Sequence, residues 1–181
     1  MKLASIMFFV AVLFLLMTVA CGKAQDTAAA LAHTRTEFSF SVDAPFEQVV
    51  PLFGAQEERK WAEHWDPQIV YPASAHDQQG MVFKVAHGHN SAVWINTAFD
   101  LAAGHIQYAY VLSDAMATLI DIHAAPQGPG KTGVTVVYER TALVAEANEH
   151  VQHFAKNDAN GGKEWGDAIN AYFAKRDKAA K

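Results

Sequence analysis

Residues 38–53 read FSFSVDAPFEQVVPLF, a stretch whose periodicity changes halfway along. Up to Val42 an apolar side chain occurs at every second position, and the pattern extends back to Arg35 with polar residues in between. Alternation of this kind is typical of a β-strand with one buried face, so we expect a strand over 35–42. The face predicted to be buried consists of Thr36, Phe38, Phe40 and Val42.

The second half of the stretch has the spacing of a short helix. Asp43 can cap a helix start, and Pro45 suits a first helical turn. Apolar residues then recur at helical spacing as far as Phe53, and Gly54 favours an end at that point. A second short helix is predicted over residues 56–64.

Strand-like runs separated by Gly, Asn, Asp and Pro fill the middle of the chain. They cover residues 68–71, 81–87, 92–100, 105–112, 116–124 and 134–141. Breaks of only a few residues favour an antiparallel meander. A parallel α/β sheet is disfavoured because no helical segments separate the runs.

From residue 144 to about 175 the apolar period becomes helical. The predicted apolar stripe contains Val151, Phe154, Trp165, Ile169, Tyr172 and Phe173. Gly161 and Gly162 weaken this helix, because each glycine costs roughly 1 kcal/mol relative to alanine. We expect one long helix with a bend there, lying across the sheet. The two glycines either open room for a ligand or allow close contact between helix and strand.

The order of these elements resembles the START/Bet v 1-like superfamily, also called helix-grip or SRPBCC proteins, which includes polyketide cyclases and lipid-transfer domains. The segments that carry the resemblance are FSFSVDAPFEQVVPLF, Trp65-Asp66-Pro67 with Tyr71-Pro72, Gly80-Met81-Val82-Phe83, residues 136–143 (VVYERTAL) and Trp165-Gly166-Asp167-Ala168-Ile169. The resemblance implies an α+β fold in which a curved antiparallel sheet wraps around a long C-terminal helix, with two short helices after the first strand. It places one helix-grip domain at residues 35–177.

The resemblance also implies a cavity between sheet and helix, in which family members mostly bind apolar or amphipathic molecules and some catalyse cyclisation or dehydration. Such cavities are mainly apolar with a few polar groups, which suits Tyr and Trp because each has an apolar ring and one hydrogen-bonding atom. Arg140 is a candidate to hold an anionic headgroup through paired hydrogen bonds. The predicted ligand-binding residues are Trp65, Tyr71, Phe83, Trp94, Tyr108, Tyr110, Tyr138, Arg140, Trp165 and Tyr172.

Catalytic and metal sites have weaker signals. Asp121 and His123 share one face of their strand; they face either solvent or the cavity, where they would form an acid–base pair. His87 and His89 are either metal ligands or part of a polar turn, and the other histidines lack metal-site spacing, so we expect no metal site. Neither a nucleophile motif nor a phosphate-binding or Rossmann motif occurs, and we expect no cofactor.

The N-terminus has the layout of a secretory signal. Residues 3–21 (LASIMFFVAVLFLLMTVAC) follow Met1-Lys2, are almost wholly apolar and end in small residues before Cys21. A cysteine there resembles the lipobox of bacterial lipoproteins, in which the thiol is acylated. We expect a signal peptide over 1–21, a flexible tether over 22–34 and a lipid anchor on the periplasmic side of the cell envelope. The alternatives are a cleaved secretory signal, which releases a soluble protein, and an uncleaved transmembrane anchor, which needs about 20 apolar residues.

Net charge and cysteine content limit the partners and the disulfides that the protein can have. The chain has a net charge of −5, which argues against nucleic-acid binding because phosphate recognition needs basic patches. Its single cysteine excludes an intrachain disulfide. The sequence therefore predicts a membrane-tethered carrier of a small hydrophobic or amphipathic ligand, such as a lipid, a quinone or a polyketide-like molecule. The alternative is a cyclase or dehydratase that uses acid–base groups in the same cavity.

Overall fold

The computed structural model describes residues 30–179. The predicted signal peptide with Cys21, and the tether as far as residue 29, lie outside the described residues. The strands are β1 (His33–Val42), β2 (Gln68–Tyr71), β3 (Val82–His87), β4 (Asn90–Asp100), β5 (His105–Leu112), β6 (Met116–Pro126) and β7 (Thr132–Ala142). The α-helices are α1 (Phe46–Val49), α2 (Asn148–Asn157) and α3 (Gly161–Ala179).

The seven strands form one antiparallel sheet in the order β1-β7-β6-β5-β4-β3-β2. Strands β2 to β7 follow one another as a meander, as predicted, and β1 closes the order by pairing with β7 along its whole length. All seven predicted strands are present, with ends that shift by at most a few residues. The helix-grip architecture is confirmed.

The sheet begins earlier than the predicted domain boundary at residue 35. The pairing of β1 with β7 already starts at His33, whose Nδ1 lies 2.9 Å from Thr141 Oγ1. Just before the strand, the backbone of Ala32 donates to the Asn148 side chain at 2.7 Å and accepts from the amide of Ala142 at 2.8 Å. The last residues assigned to the tether therefore belong to the folded domain.

The segment after β1 is less helical than predicted. Helix α1 is a single turn that continues as a 3₁₀ turn over Val50–Phe53, with Pro51 in its first positions. The second short helix is only a 3₁₀ turn over Glu57–Lys60. The chain folds back after that turn because the indole N–H of Trp61 donates to Leu52 O and that of Trp65 to Ala55 O, both at 2.8 Å.

The long C-terminal helix is present and bends where its glycines predicted. A 3₁₀ turn over Asp158–Asn160 joins α2 to α3. A Cβ atom at Gly161 would lie 2.6 Å from the Phe38 ring, and one at Gly162 would lie 2.9 Å from Ser39 O. These glycines therefore allow close contact between helix and β1.

The sheet has one covered face. Side chains with alternating burial on β5, β6 and β7 point towards α2 and α3, and the intervening side chains point outwards. Within residues 30–179, no helix combines the length and apolar character needed to cross a membrane.

Candidate functional site

Most of the predicted ligand-binding side chains meet on the inner face of the sheet. Phe83, Trp94, Tyr108 and Tyr110 are contributed by neighbouring strands and are all buried. The Trp94 and Tyr110 rings stack at 4.3 Å, and Phe83 stacks on Trp94 at 5.7 Å. Trp165 reaches the same interior from α3 and packs edge-on against Phe38 at 5.6 Å. The protein's own aromatic rings therefore occupy much of the space between sheet and helix.

Two of these aromatic residues use their polar atoms to hold the backbone. The Tyr108 hydroxyl donates to Phe53 O at 2.8 Å, and the Trp65 indole N–H donates to Ala55 O. Burial raises the pKa of Tyr108 well above its ordinary value, so the hydroxyl stays a neutral donor. These two side chains anchor the segment after α1 to the sheet.

A second set of polar side chains forms a line across the sheet. Strand register places Trp94 opposite Tyr110, Tyr110 opposite Thr118, Thr118 opposite Arg140, and Arg140 opposite Thr34. The line crosses β4, β5, β6, β7 and β1, and we call these five residues the polar row. Cross-strand neighbours lie within about 5.5 Å of each other, so a single small molecule can contact several of them.

The polar row is short of hydrogen bonds. Within residues 30–179, four of its buried atoms have no partner: Thr34 Oγ1, Trp94 Nε1, Thr118 Oγ1 and Arg140 Nε. A fifth such atom is His87 Nε2, on a ring that stacks on Tyr110 at 6.1 Å. A buried polar group without a partner costs about 1–3 kcal/mol, so native proteins rarely keep several together without a use for them. The polar row is therefore the strongest candidate for a binding site.

Glu58 and Tyr138 are half-buried titratable groups whose charges interact. Burial, followed by the negative charge of Asp77, raises the pKa of Glu58 to about 8. Burial raises the pKa of Tyr138, and the Glu58 charge raises it further whereas the Arg140 charge lowers it. Glu58 and Tyr138 are half-buried and keep accessible surface. We call the accessible space beside these two side chains the gap.

Arg140 already has an anionic partner. Its guanidinium makes two hydrogen bonds to the Asp158 carboxylate, with Nη2 donating to Oδ1 at 3.0 Å and Nη1 donating to Oδ2. Thr36 donates to the same carboxylate at 2.5 Å. The positive charge is thus balanced inside the protein, and among the guanidinium nitrogens Nε has no hydrogen-bond partner within residues 30–179. The structure does not favour the predicted anionic headgroup at this position.

Two predicted residues lie away from this interior. Tyr71 is 55% exposed, because β2 is the short edge strand of the sheet. Tyr172 on α3 is half-buried at the margin of the core, where it lines a cleft of about 410 Å³ together with Trp61. Trp61 also packs against Trp165 at 5.4 Å, so one indole separates this cleft from the interior.

The remaining charged candidates face outwards. Asp121 is half-buried and His123 is exposed on the outer face of β6, whereas Ile120 and Ile122 point inwards. The hairpin turn after His87 places Gly88 at φ 58° and leaves His89 exposed, which matches a polar turn. Asp121, His123 and His89 therefore supply no acid or base to the interior, whereas the His87 ring, whose Nε2 is buried, lies against Tyr110.

Sequence reasoning missed three residues of the site. Thr118 had a usable signal, because it is the polar member of an otherwise apolar face of β6. Thr34 fell in the predicted tether. Glu58 belongs to Glu57–Lys60 (EERK), a run whose composition is typical of exposed surface, so no local signal distinguished it.

Comparisons with known proteins identify the fold. No protein-family model matches the chain, and no curated protein matches it in sequence. Among solved structures, a norcoclaurine synthase point mutant from Thalictrum flavum in complex with a transition-state analogue has a TM-score of 0.61 at 10% identity, over 82% of this chain and 98% of that one. The Zhui aromatase/cyclase from Streptomyces sp. R1128 has a TM-score of 0.57 at 14% identity, over 83% and 97%. Ara h 8.0201 has a TM-score of 0.60 at 13% identity, over 80% and 99%.

These likenesses extend over nearly the whole of each solved chain. The protein therefore has the helix-grip fold of these solved structures, which is the fold that the sequence resemblance implied. At such low identity the shared property is the fold, and function depends on the site.

Proposed function

We propose that the protein binds a small, largely apolar molecule in the gap beside Glu58 and Tyr138, with the polar end of the ligand on the polar row. The unpaired buried atoms of that row carry the proposal. A ligand that reaches them removes the cost of burying them alone and gains aromatic contact with Trp94 and Tyr110.

The chemistry of the polar row favours a ligand with neutral acceptor oxygens. Trp94 Nε1 and Arg140 Nε can only donate hydrogen bonds, and Thr118 can donate one. Glu58 is mainly protonated at neutral pH, so it also offers a donor. Because Asp158 already balances Arg140, an anionic group gains no free positive charge here. A quinone or a polyketide-like ketone therefore fits better than a fatty-acid carboxylate.

Trp61 is the proposed point of access. The cleft that it shares with Tyr172 is flanked by Lys60 and Lys175. A rotation of the indole, with loss of its hydrogen bond to Leu52 O, opens the path towards Trp165. A ligand enters by this route without separation of the sheet strands.

Tryptophan fluorescence tests the binding, because Trp94, Trp65 and Trp165 all lie near the gap. Menadione, a compact naphthoquinone, is expected to quench the fluorescence with one-to-one saturation, and laurate is expected to bind at least about tenfold more weakly. Tyr138→Phe and Thr118→Val should each weaken menadione binding, whereas the exposed Tyr71→Phe is the matched control and should not. Quenching that does not saturate, or that Tyr71→Phe weakens equally, contradicts the proposal.

The N-terminal sequence adds a proposed location. We infer that the domain is held at the periplasmic side of a membrane by acylation of Cys21, so that it exchanges an apolar ligand with the lipid phase. The lipobox-like sequence before Cys21 supports this inference. Cys21→Ser should release the protein from the membrane fraction. If the variant stays there, acylation at that thiol is excluded.

An enzyme of the cyclase or dehydratase kind is a second candidate, and Glu58 is the observation that favours it. A carboxyl with a pKa near 8 can donate and accept a proton around neutral pH. Its charge acts on the Tyr108 and Tyr138 hydroxyls, and Asp77 is a second carboxyl whose charge acts on Tyr108. Incubation with a poly-β-ketone analogue tests this function, since Glu58→Gln should abolish turnover while menadione still binds. Absence of turnover in the wild type leaves the carrier as the function.

A further inference from the structure

Two histidines and one aspartate converge on the outer face of the sheet, remote from the gap. Register places His105 of β5 opposite His123 of β6, and Gln107 opposite Asp121. His105 Nε2 lies 2.7 Å from Asp121 Oδ1, and His123 Nε2 lies 3.1 Å from Asp121 Oδ2. One potential ligand atom from each of the three side chains lies within 4.8 Å of the others.

The geometry points to a binding site for a divalent transition metal of the zinc class, formed by His105, Asp121 and His123. Imidazole nitrogens with a carboxylate oxygen suit Zn²⁺, Cu²⁺ and Ni²⁺ rather than Mg²⁺ or Ca²⁺. Ligand atoms about 2.0–2.2 Å from a zinc ion in tetrahedral geometry lie roughly 3.4 Å from one another. The two histidine–aspartate distances, 2.7 and 3.1 Å, are shorter than this value and end on different oxygens of Asp121, so the side chains must move slightly apart to admit the ion.

A second layer of contacts holds the carboxylate in place. Gln107 Nε2 donates to Asp121 Oδ1 at 3.2 Å, and Gln107 Oε1 accepts from Thr97 Oγ1 at 2.9 Å. Outer contacts of this kind orient metal ligands and raise their affinity. The network therefore extends over β4, β5 and β6, and the metal would bind to a rigid part of the sheet.

The site is open to solvent on one side. The His105 and Asp121 side chains are about one-third exposed, and that of His123 is about half exposed. Three protein ligands leave a fourth position for water or an added molecule. The stacking of the imidazole rings, 4.5 Å apart and nearly parallel, places both Nε2 atoms at a single carboxylate.

Sequence spacing concealed this cluster, and we had expected no metal. His105 lies 16 residues before Asp121, and only antiparallel pairing brings them together. The competing explanation is a hydrogen-bonded histidine–aspartate–histidine network that binds no metal. Metal titration distinguishes the two.

The experiment uses the full chain in detergent, free of any affinity tag, after metal removal with chelator and dialysis. Calorimetric titration with zinc chloride is expected to give one ion per chain with micromolar or tighter affinity. His123→Gln and Asp121→Asn should each weaken zinc binding at least about tenfold. Gln107→Ala, which removes an outer contact and no ligand, should weaken it about tenfold as well.

The matched control is the double variant His150→Gln, His153→Gln, which removes two histidines near the surface of α2. It should leave zinc affinity unchanged. The changes that zinc causes in the imidazole nitrogen resonances should be confined to His105 and His123. Binding only at millimolar zinc, or binding that the α2 control abolishes, overturns the inference.

Discussion

Arg140 and Asp158 join the sheet to the bend between α2 and α3 through an ion pair that is almost fully enclosed, with side chains only 5% and 10% exposed. The guanidinium also lies over the Tyr138 ring, 4.1 Å from its centre. The pair thus fixes the bent helix against β7 at one end of the polar row. A helix that forms one wall of a ligand site must be held in place, and this ion pair holds it.

Asp158→Asn is expected to destabilise the protein strongly. It leaves the Arg140 charge buried without compensation, which costs about 3–5 kcal/mol. The double variant Arg140→Met, Asp158→Leu should recover most of that loss, because apolar replacement of a buried pair is often neutral. Urea unfolding of the wild type, of Asp158→Asn and of the double variant measures their free energies of unfolding.

Asp167→Asn is the control for this change. It breaks the ion pair between Lys163 and Asp167, whose side chains are 82% and 69% exposed, and should leave the free energy of unfolding nearly unchanged. If Asp158→Asn and Asp167→Asn lowered the free energy of unfolding equally, burial would not determine how strongly the Arg140–Asp158 pair contributes to stability.

Gly161→Ala should destabilise the protein, although alanine favours helices. The new methyl group would lie 2.6 Å from the Phe38 ring, and such overpacking typically costs 1–3 kcal/mol. Gly166→Ala in the same helix is the matched comparison, since its nearest atom would be Phe40 Cβ at 3.3 Å. Alanine favours the helix at both positions, though less at Gly161 because that residue begins α3, and the steric overlap at Gly161 should make the melting temperature of Gly161→Ala the lower of the two. No difference would mean that α3 is not held against β1 at Gly161.

The fold was predictable because its signals are local. Strand β5 was expected over 105–112 and is present with those bounds, since Ile106, Tyr108 and Tyr110 alternate with polar or small residues between two turns. The same holds for the bend at Gly161, where glycine weakens a helix irrespective of its surroundings. Such features depend on neighbouring residues only.

The site was predictable only in part, because its chemistry depends on register. Trp94 and Arg140 were expected as ligand contacts, yet nothing local shows that they share one row with Thr34 and Thr118. Glu58 is half-buried in a turn after which Trp61 and Trp65 hydrogen bond back to the preceding segment. These arrangements appear only when distant segments are paired.

Glu58 should make stability fall as pH rises. Its pKa is about 8 in the folded protein against 4.5 for an ordinary glutamate, so between these values the folded state binds more protons than the unfolded state. The free energy of unfolding therefore decreases from about pH 5 to pH 8, and Glu58→Gln should flatten that decrease. Asp77, whose pKa burial also raises, contributes a smaller fall in the same direction and remains in the variant.

Urea unfolding at intervals of pH measures this effect. Glu63→Gln, at a side chain that is 88% exposed, should retain the wild-type slope. Burial is the main cause of the lowered pKa of His87, which makes stability rise with pH. This contribution is the same in the wild type and in both variants. A wild-type slope in Glu58→Gln would place that carboxyl in solvent and remove it from the candidate site.

Two buried threonines on adjacent strands should respond in opposite ways to the same substitution. Thr132 donates to Ala44 O at 2.8 Å, so Thr132→Val loses a hydrogen bond and leaves a carbonyl unpaired, at a cost of about 1–2 kcal/mol. Thr118 has no partner for its hydroxyl within residues 30–179, so Thr118→Val should raise the free energy of unfolding of the ligand-free protein by about 1 kcal/mol. If the polar row exists to bind a ligand, Thr118→Val should also weaken menadione binding, because stability gained at a binding site is commonly lost as function. Thermal unfolding with and without menadione measures both effects. A Thr118→Val protein that is less stable than the wild type without menadione would mean that the hydroxyl is already satisfied and that the polar row needs no ligand.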